Sequence, residues 1–339
     1  VQVSSVDVRT QLAKLLIGQS EAVEKIANIV SVHRTGMCPP DRPVANVMLV
    51  GPTGSGKTKT VESLAEVLHG NKKQLLKVDC GEFQMDHEVA KLVGAPPGYL
   101  GHRETTPMLS QQKLSGITSD KSNLSLVLFD EIEKAAPSMS RILLGIMDKA
   151  TLRLGDNSTV NFERSLIFLT SNLGTKEIID SGSFGLVKDD KNRRKSDVAT
   201  MIAAVKRRFS PEFYNRIDET IAYETLNRES LRKIMEVMLD EIQTHAVSAG
   251  HTFLLQVTPG AKELILNEGQ SDKYGARELR RVLQRRVTTP LANMLDQSRI
   301  PSGSEVTLWV HQGKLTWSVD QATMEQLLRV SAETVRRRK

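Results

Sequence analysis

One stretch limits the fold of this chain more than any other. Gly51-Pro52-Thr53-Gly54-Ser55-Gly56-Lys57-Thr58 fills every fixed position of the phosphate-binding loop pattern. It directly follows an apolar run, Val47-Met48-Leu49-Val50, and directly precedes Val61, Leu64, Ala65 and Leu68, which recur at helical spacing. Glycines let backbone N–H groups converge on phosphate oxygens, and the helix N-terminus adds positive potential. Lys57 is then the candidate to reach the terminal phosphates, and Thr58 the candidate ligand of Mg²⁺. Thr53, Gly54, Ser55, Gly56, Lys57 and Thr58 are therefore read as ATP-binding residues.

Short apolar runs alternate with helical stretches from Val44 to about Tyr223: Val44 to Val50, Leu75 to Asp79, Leu124 to Asp130, Leu166 to Ser171 and a weaker Thr220 to Tyr223. Runs such as Leu124-Ser125-Leu126-Val127-Leu128-Phe129 lack the clean alternation of a strand wetted on one face. They predict a parallel α/β sheet covered by helices on both sides. Two helices, around Leu12 to Leu16 and Ala22 to Val30, precede it across a Gly18-Gln19 break. The third strand ends in Asp130-Glu131, where the C-terminal edge of such a sheet meets the phosphate loop. Asp130 is the candidate for the Mg²⁺ shell, largely through water, and Glu131 the candidate to polarise an attacking water. Asn172 ends the next strand and is a candidate to orient the same water.

After Tyr223 the apolar residues fall at helical intervals, from Leu231 to Ile242 and again from Leu279 to Leu295. Val306 to Val310 and Leu315 to Val319 predict a small hairpin. At 339 residues the chain has room for two domains: a large α/β domain over 1–225, a small helical one over 226–320, and a basic tail over 321–339. The polar stretch from Gly182 to Ala199 is expected to be an exposed loop. Four of the charges behind the net +6 sit in Arg336-Arg337-Arg338-Lys339, so nucleic acid is disfavoured as a partner. Two cysteines, no apolar run near the roughly 20 residues of a membrane span and no export signal predict a soluble, cytoplasmic protein without membrane contact.

Taken in order, Leu16-Ile17-Gly18-Gln19, the phosphate loop, Gly94-Ala95-Pro96-Pro97-Gly98-Tyr99-Leu100-Gly101, Leu128-Phe129-Asp130-Glu131-Ile132-Glu133-Lys134-Ala135, Thr170-Ser171-Asn172-Leu173-Gly174, Pro211 to Asp218 and Tyr274-Gly275-Ala276-Arg277 resemble the second ATPase module of Clp-type AAA+ unfoldases such as ClpA, ClpB and ClpC. The resemblance runs from about Leu12 to Val319. It implies an AAA+ P-loop fold with a helical lid, ATP hydrolysis, and a homo-hexameric ring that threads protein substrates through a central pore. It assigns Ile17 and Gly18 to the adenine pocket, Asn172 to sensor 1, Arg277 to sensor 2, and Arg216 to an arginine finger donated to the neighbouring subunit. It makes Tyr99 and Leu100 the pore loop that grips polypeptide. Two departures stand out: His102-Arg103-Glu104-Thr105-Thr106-Pro107 replaces an acidic, Gly-rich continuation, and Leu154-Gly155-Asp156-Asn157-Ser158 alters the second pore loop.

Phe184-Gly185-Leu186 stands near the place where protease-linked members carry a tripeptide that docks on a ClpP-like peptidase. That leaves an alternative, the unfoldase subunit of such a protease, and an adaptor is a further candidate partner. A nucleic-acid-linked AAA+ motor is the other alternative, since Tyr99 could stack on bases, although backbone tracking would need a basic face. A regulatory switch that merely binds nucleotide would not need the full set of Lys57, Asp130, Glu131, Asn172, Arg216 and Arg277.

Overall fold

A computed structural model describes residues 5–94, 107–180, 190–270 and 275–321. The chain divides into two compact units, Val1–Thr225 and Leu226–Lys339.

The first unit opens with α1 (Ser5–Leu15) and α2 (Ser20–Arg34), then β1 (Ala45–Val50) and α3 (Lys57–His69). It continues through β2 (Leu76–Asp79), α4 (Asp86–Val93), α5 (Gln111–Gly116), β3 (Ser125–Asp130), α6 (Pro137–Lys149) and a small antiparallel hairpin of β4 (Thr151–Arg153) and β5 (Thr159–Asn161). Next come β6 (Ser165–Ser171), α7 (Thr175–Asp180), α8 (Asp190–Arg208), α9 (Pro211–Tyr214) and β7 (Glu219–Ala222). Five strands form one parallel sheet in the order β2-β3-β6-β1-β7. β1 and β6 are buried along their whole length, which explains the missing polar alternation: both faces are covered. Val47 and Leu49 pack with α1, α2 and α3, whereas Met48 and Val50 face the cluster that holds Phe83, Met139, Leu143 and Met201. Successive side chains of one strand thus supply two separate cores.

Residues 190–199 differ from the loop expected there, because α8 begins at Asp190. The stretch is charged, but Lys and Arg are good helix formers, and Met201 and Val205 further along are buried on one face. Polarity did not exclude a helix; residues 182–189 of the expected loop lie outside the described residues.

The second unit holds α10 (Arg228–Ser248), β8 (Phe253–Val257), α11 (Pro259–Gly269), α12 (Ala276–Leu283), α13 (Thr289–Asp296), β9 (Ser304–His311) and β10 (Lys314–Gln321). A π-helical turn, Gln284–Thr288, joins α12 to α13. β9 and β10 form the expected hairpin around Gln312-Gly313, with β8 added in parallel to β9. Its core includes Leu231, Met235, Leu266, Leu279, Val282, Val287 and Leu308.

Candidate active site

The sheet order decides which side chains meet. β6 lies between β1 and β3, so Asn172, just past the end of β6, stands between the phosphate loop that follows β1 and the carboxylates that end β3. The loop turns at Gly54 and Gly56, whose positive φ values of 80° and 108° suit glycine. Gly51 lies against Tyr223: a Cβ there would come within 2.6 Å of the Tyr223 carbonyl and 2.7 Å of its Cβ. Tyr223 is buried and donates its hydroxyl to Thr60 at 2.8 Å, so the loop rests on a rigid floor.

Lys57 is buried and donates to the carbonyls of Gly51 (2.6 Å) and Pro52 (2.8 Å) and to Asn172 Oδ1 (2.8 Å). Asn172 turns its amide nitrogen to Glu131 Oε1 at 3.1 Å. Lys134 pairs with the other Glu131 oxygen. The Asn172 backbone N–H is held by Glu133 Oε1 at 3.0 Å.

Asp130 accepts from Thr58 Oγ1, which is 3.3 Å from both carboxylate oxygens, from Thr170 Oγ1, and from Lys77 Nζ at 3.1 Å. Burial pushes the Asp130 carboxyl up, but the hydrogen bond from Thr170 and the Lys77 ammonium outweigh it, and Thr58 adds to them. The group is held below the usual carboxylate value and stays ionised. Thr170 also accepts the Glu131 N–H at 2.9 Å, so one hydroxyl holds the Asp130 carboxylate and the Glu131 backbone. Glu131 has φ 57° and ψ 50°, the left-handed region where a non-glycine side chain is strained.

Gln19 donates to the carbonyls of Ser55 (3.0 Å) and Glu224 (3.3 Å). It thereby ties the Ile17-Gly18 break, with Ile17 half-buried and Gly18 exposed, to the phosphate loop. Arg216 stands elsewhere. It precedes β7, whose Glu219 pairs with Val47 near the start of β1, and so lies at the sheet edge away from the phosphate loop. Its Nε is 3.0 Å from Asp148 Oδ1.

Arg277 is exposed in the first turn of α12, in the second unit. Tyr99, Leu100 and Phe184-Gly185-Leu186 lie outside the described residues. The flanks of 95–106 are described: Met108 N–H donates to Lys91 O and Leu109 N–H to Leu92 O, while Gly155 in the β4–β5 connection donates to Val93 O at 2.8 Å. The Leu154–Ser158 connection therefore stands beside the base of the segment that holds Tyr99.

Sequence reasoning missed Thr170, Lys77, Lys134 and Asn46. Lys134 was readable in principle, being three residues beyond Glu131 across a single turn; the others carry no local signal.

Residues 42–220 match the family model of the AAA domain (Cdc48 subfamily), and 226–308 match that of the C-terminal, D2-small domain of ClpB protein. The chaperone protein ClpB of Rhodopirellula baltica is 33% identical over 298 residues, covering 88% of this chain and 32% of its own. The ATP-dependent Clp protease ATP-binding subunit ClpC of Staphylococcus epidermidis is 36% identical over 304 residues, covering 89% and 36%. A closed-state structure of Hsp104 with ATPγS and FITC casein superposes with a TM-score of 0.80 at 28% identity, over 93% of this chain and 52% of that one. The chain thus spans about a third of the length of these two relatives. Because the AAA-domain model matches more than half of the chain, the chain belongs to the AAA+ family, as an AAA domain followed by a ClpB-type small domain.

Proposed function

We propose that the chain is an ATP-hydrolysing motor module that unfolds or remodels proteins, acting as a homo-oligomeric, hexameric ring that threads polypeptide through a central pore. The observation that carries this reading is the convergence of Lys57, Asn172 and Glu131 through two hydrogen bonds, with Arg216 on the far edge of the same sheet. Lys57 would bind the terminal phosphates, Asn172 and Glu131 would orient and deprotonate the attacking water, and Arg216 would act on a neighbour's nucleotide. Ile17 and Gly18 would border the base, with Gln19 setting their position.

Thr58 and Asp130 fit a Mg²⁺ site, since a hydroxyl and an ionised carboxylate converge beside the phosphate loop. The ion would supply charge neutralisation on the phosphates. Residues 1–225 would form the nucleotide-binding domain and 226–320 the lid, with Arg277 as its contact to nucleotide.

The names of the relatives support a protein substrate: ClpB is a chaperone, and the Hsp104 structure holds casein. Tyr99 and Leu100 would grip the polypeptide, an aromatic packing without regard to sequence. A cytoplasmic setting fits two free cysteines, Cys80 buried and Cys38 half-buried, and among the described residues no helix is long and apolar enough to cross a membrane. A ClpP-like peptidase or an adaptor would rest on Phe184-Gly185-Leu186, outside the described residues.

The test measures ATP turnover alongside ATP-dependent unfolding of a tagged, stable fluorescent protein by the unchanged chain and by Tyr99→Ala. Unfolding lost with turnover retained supports a threading motor. Turnover without any unfolding by the unchanged chain would overturn the substrate assignment.

A further inference from the structure

Asn46 is a polar residue near the start of β1, a strand buried along its whole length. It is fully enclosed, as are Val47, Met48, Leu49 and Val50 beside it. Its side-chain oxygen is buried without a hydrogen-bond partner, a cost that an apolar residue would avoid. Both amide hydrogens, by contrast, are used. One goes to the carbonyl of Met147 at 3.1 Å, the other to the carbonyl of Arg216 at 2.9 Å.

Those two carbonyls belong to the residue before Asp148 and to Arg216 itself. A single side chain in β1 therefore sets in one frame the end of α6 that carries Asp148 and the turn that carries Arg216. The Asn46 backbone N–H adds a bond to Asp218 Oδ2 at 2.8 Å, and Arg42 holds the other Asp218 oxygen at 3.0 Å. Within this frame Asp148 Oδ1 stands 3.0 Å from Arg216 Nε. The Nε–H points off the carboxylate and is itself buried without a partner, so the pair is electrostatic contact and not a closed bidentate fork. Such a contact orients the guanidinium stem while leaving its two terminal nitrogens able to bind elsewhere.

The pair sits where no phosphate of the same subunit can be. β1 has six residues and spans about 20 Å, with the phosphate loop at one end and Asn46 at the other. Arg216 is therefore out of reach of its own subunit's phosphate loop.

We propose that Asp148, held in register by Asn46, is a positioning residue that aims Arg216 at the nucleotide of the adjacent subunit. The inference rests on the reading of Arg216 as a donated finger and deepens it. Its consequence is that loss of Asp148 damages the neighbour's site and leaves the subunit's own site sound.

The experiment is subunit mixing with the full chain. Arg216→Ala, Asp148→Asn and Lys57→Ala are each measured for ATP turnover and for binding of a fluorescent ATP analogue, alone and in equal mixtures. Asp148→Asn alone is expected to lower kcat about tenfold or more, as misplacement of a reacting group does, with analogue affinity unchanged. Mixing it with Lys57→Ala should restore turnover, because Lys57→Ala subunits still offer a well-placed Arg216 to Asp148→Asn sites. A folding defect would not be complemented in this way. The double variant Asp148→Asn/Arg216→Ala should be no slower than Arg216→Ala alone.

Turnover of Asp148→Asn equal to that of the unchanged chain, or a loss that mixing leaves in place while Arg216→Ala is rescued, overturns the role of Asp148 and spares the donated finger. Failure of Arg216→Ala itself to be rescued by Lys57→Ala overturns the donated finger, and the inference falls with it.

Discussion

Lys57 Nζ donates to Asn172 Oδ1 at 2.8 Å, which makes the lysine of the phosphate loop and the residue beyond β6 one hydrogen-bonded unit. The same amide reaches Glu131, so its position is set from both sides. Replacing Asn172 by Ala should leave ATP binding near normal, because Lys57 keeps the Gly51 and Pro52 carbonyls. Turnover should fall about 10²-fold or more, the range for loss of one organised polar group in a reaction site. Steady-state turnover with parallel nucleotide titration checks this, and a loss of affinity matching the loss of rate would assign Asn172 to binding alone.

Glu131 is built as a base held ready: Lys134 pairs with one oxygen and Asn172 with the other, on a backbone in the left-handed region. Glu131→Gln preserves shape and removes the proton acceptor. Turnover should drop by about 10² to 10⁴ while the nucleotide stays bound. Undiminished turnover would remove Glu131 from the role of base.

The acid limb of stability should report on Asp130. Its carboxyl is held below the ordinary value of 3.8: burial works against this, and Thr170, Lys77 and Thr58 prevail. A depressed folded value contributes stability that is fully present above the unfolded value, about 3.9, and is lost as pH falls through the depressed one. Thr170→Val removes a donor to Asp130 and the acceptor of the Glu131 N–H. With the folded value brought nearer the unfolded one, the acid loss should be smaller and should be complete at a higher pH than in the unchanged chain. Melting temperature recorded from pH 7 down to pH 3 checks this, and coincident acid limbs would show that Thr170 does not hold the charge.

Where the sequence was legible, the reason was repetition of a strong local signal. Unbroken apolar runs marked β1, β3 and β6 because both faces of the sheet are covered, and the phosphate loop is contiguous in sequence. The convergence of Lys57, Asn172 and Glu131 depends on β6 lying between β1 and β3, an order that the apolar runs alone do not state. Thr170 was illegible because a hydroxyl inside Leu166–Ser171 looks like one more strand residue; its importance comes from β3 lying alongside. Asn46 was hidden for the same reason, since its partners Met147 and Arg216 are 101 and 170 residues away. The β4–β5 hairpin and β8 were missed because three- and five-residue strands carry too few residues for a period to register. In α8, a charged opening stretch obscured a helix whose Met201 and Val205 are buried.

The floor of the phosphate loop offers a test that does not depend on chemistry at the phosphates. Gly51 faces Tyr223, and an added Cβ would sit 2.6 Å from its carbonyl oxygen and 2.7 Å from its Cβ. Neither atom is the end of a flexible chain. Tyr223 is pinned by its N–H to Val50 O at 2.7 Å and by its hydroxyl to Thr60. Gly51→Ala must therefore move the loop, at about 1 to 3 kcal/mol, as overpacking of a tight site does. Because Lys57 draws on the Gly51 carbonyl, the same displacement should weaken nucleotide binding. Tyr223→Phe removes the bond to Thr60 but keeps the ring and the backbone contact, so it should not relieve the clash. Denaturant unfolding of both variants and of their combination decides the matter: if Gly51→Ala is as stable as the unchanged chain, the loop is not seated on Tyr223.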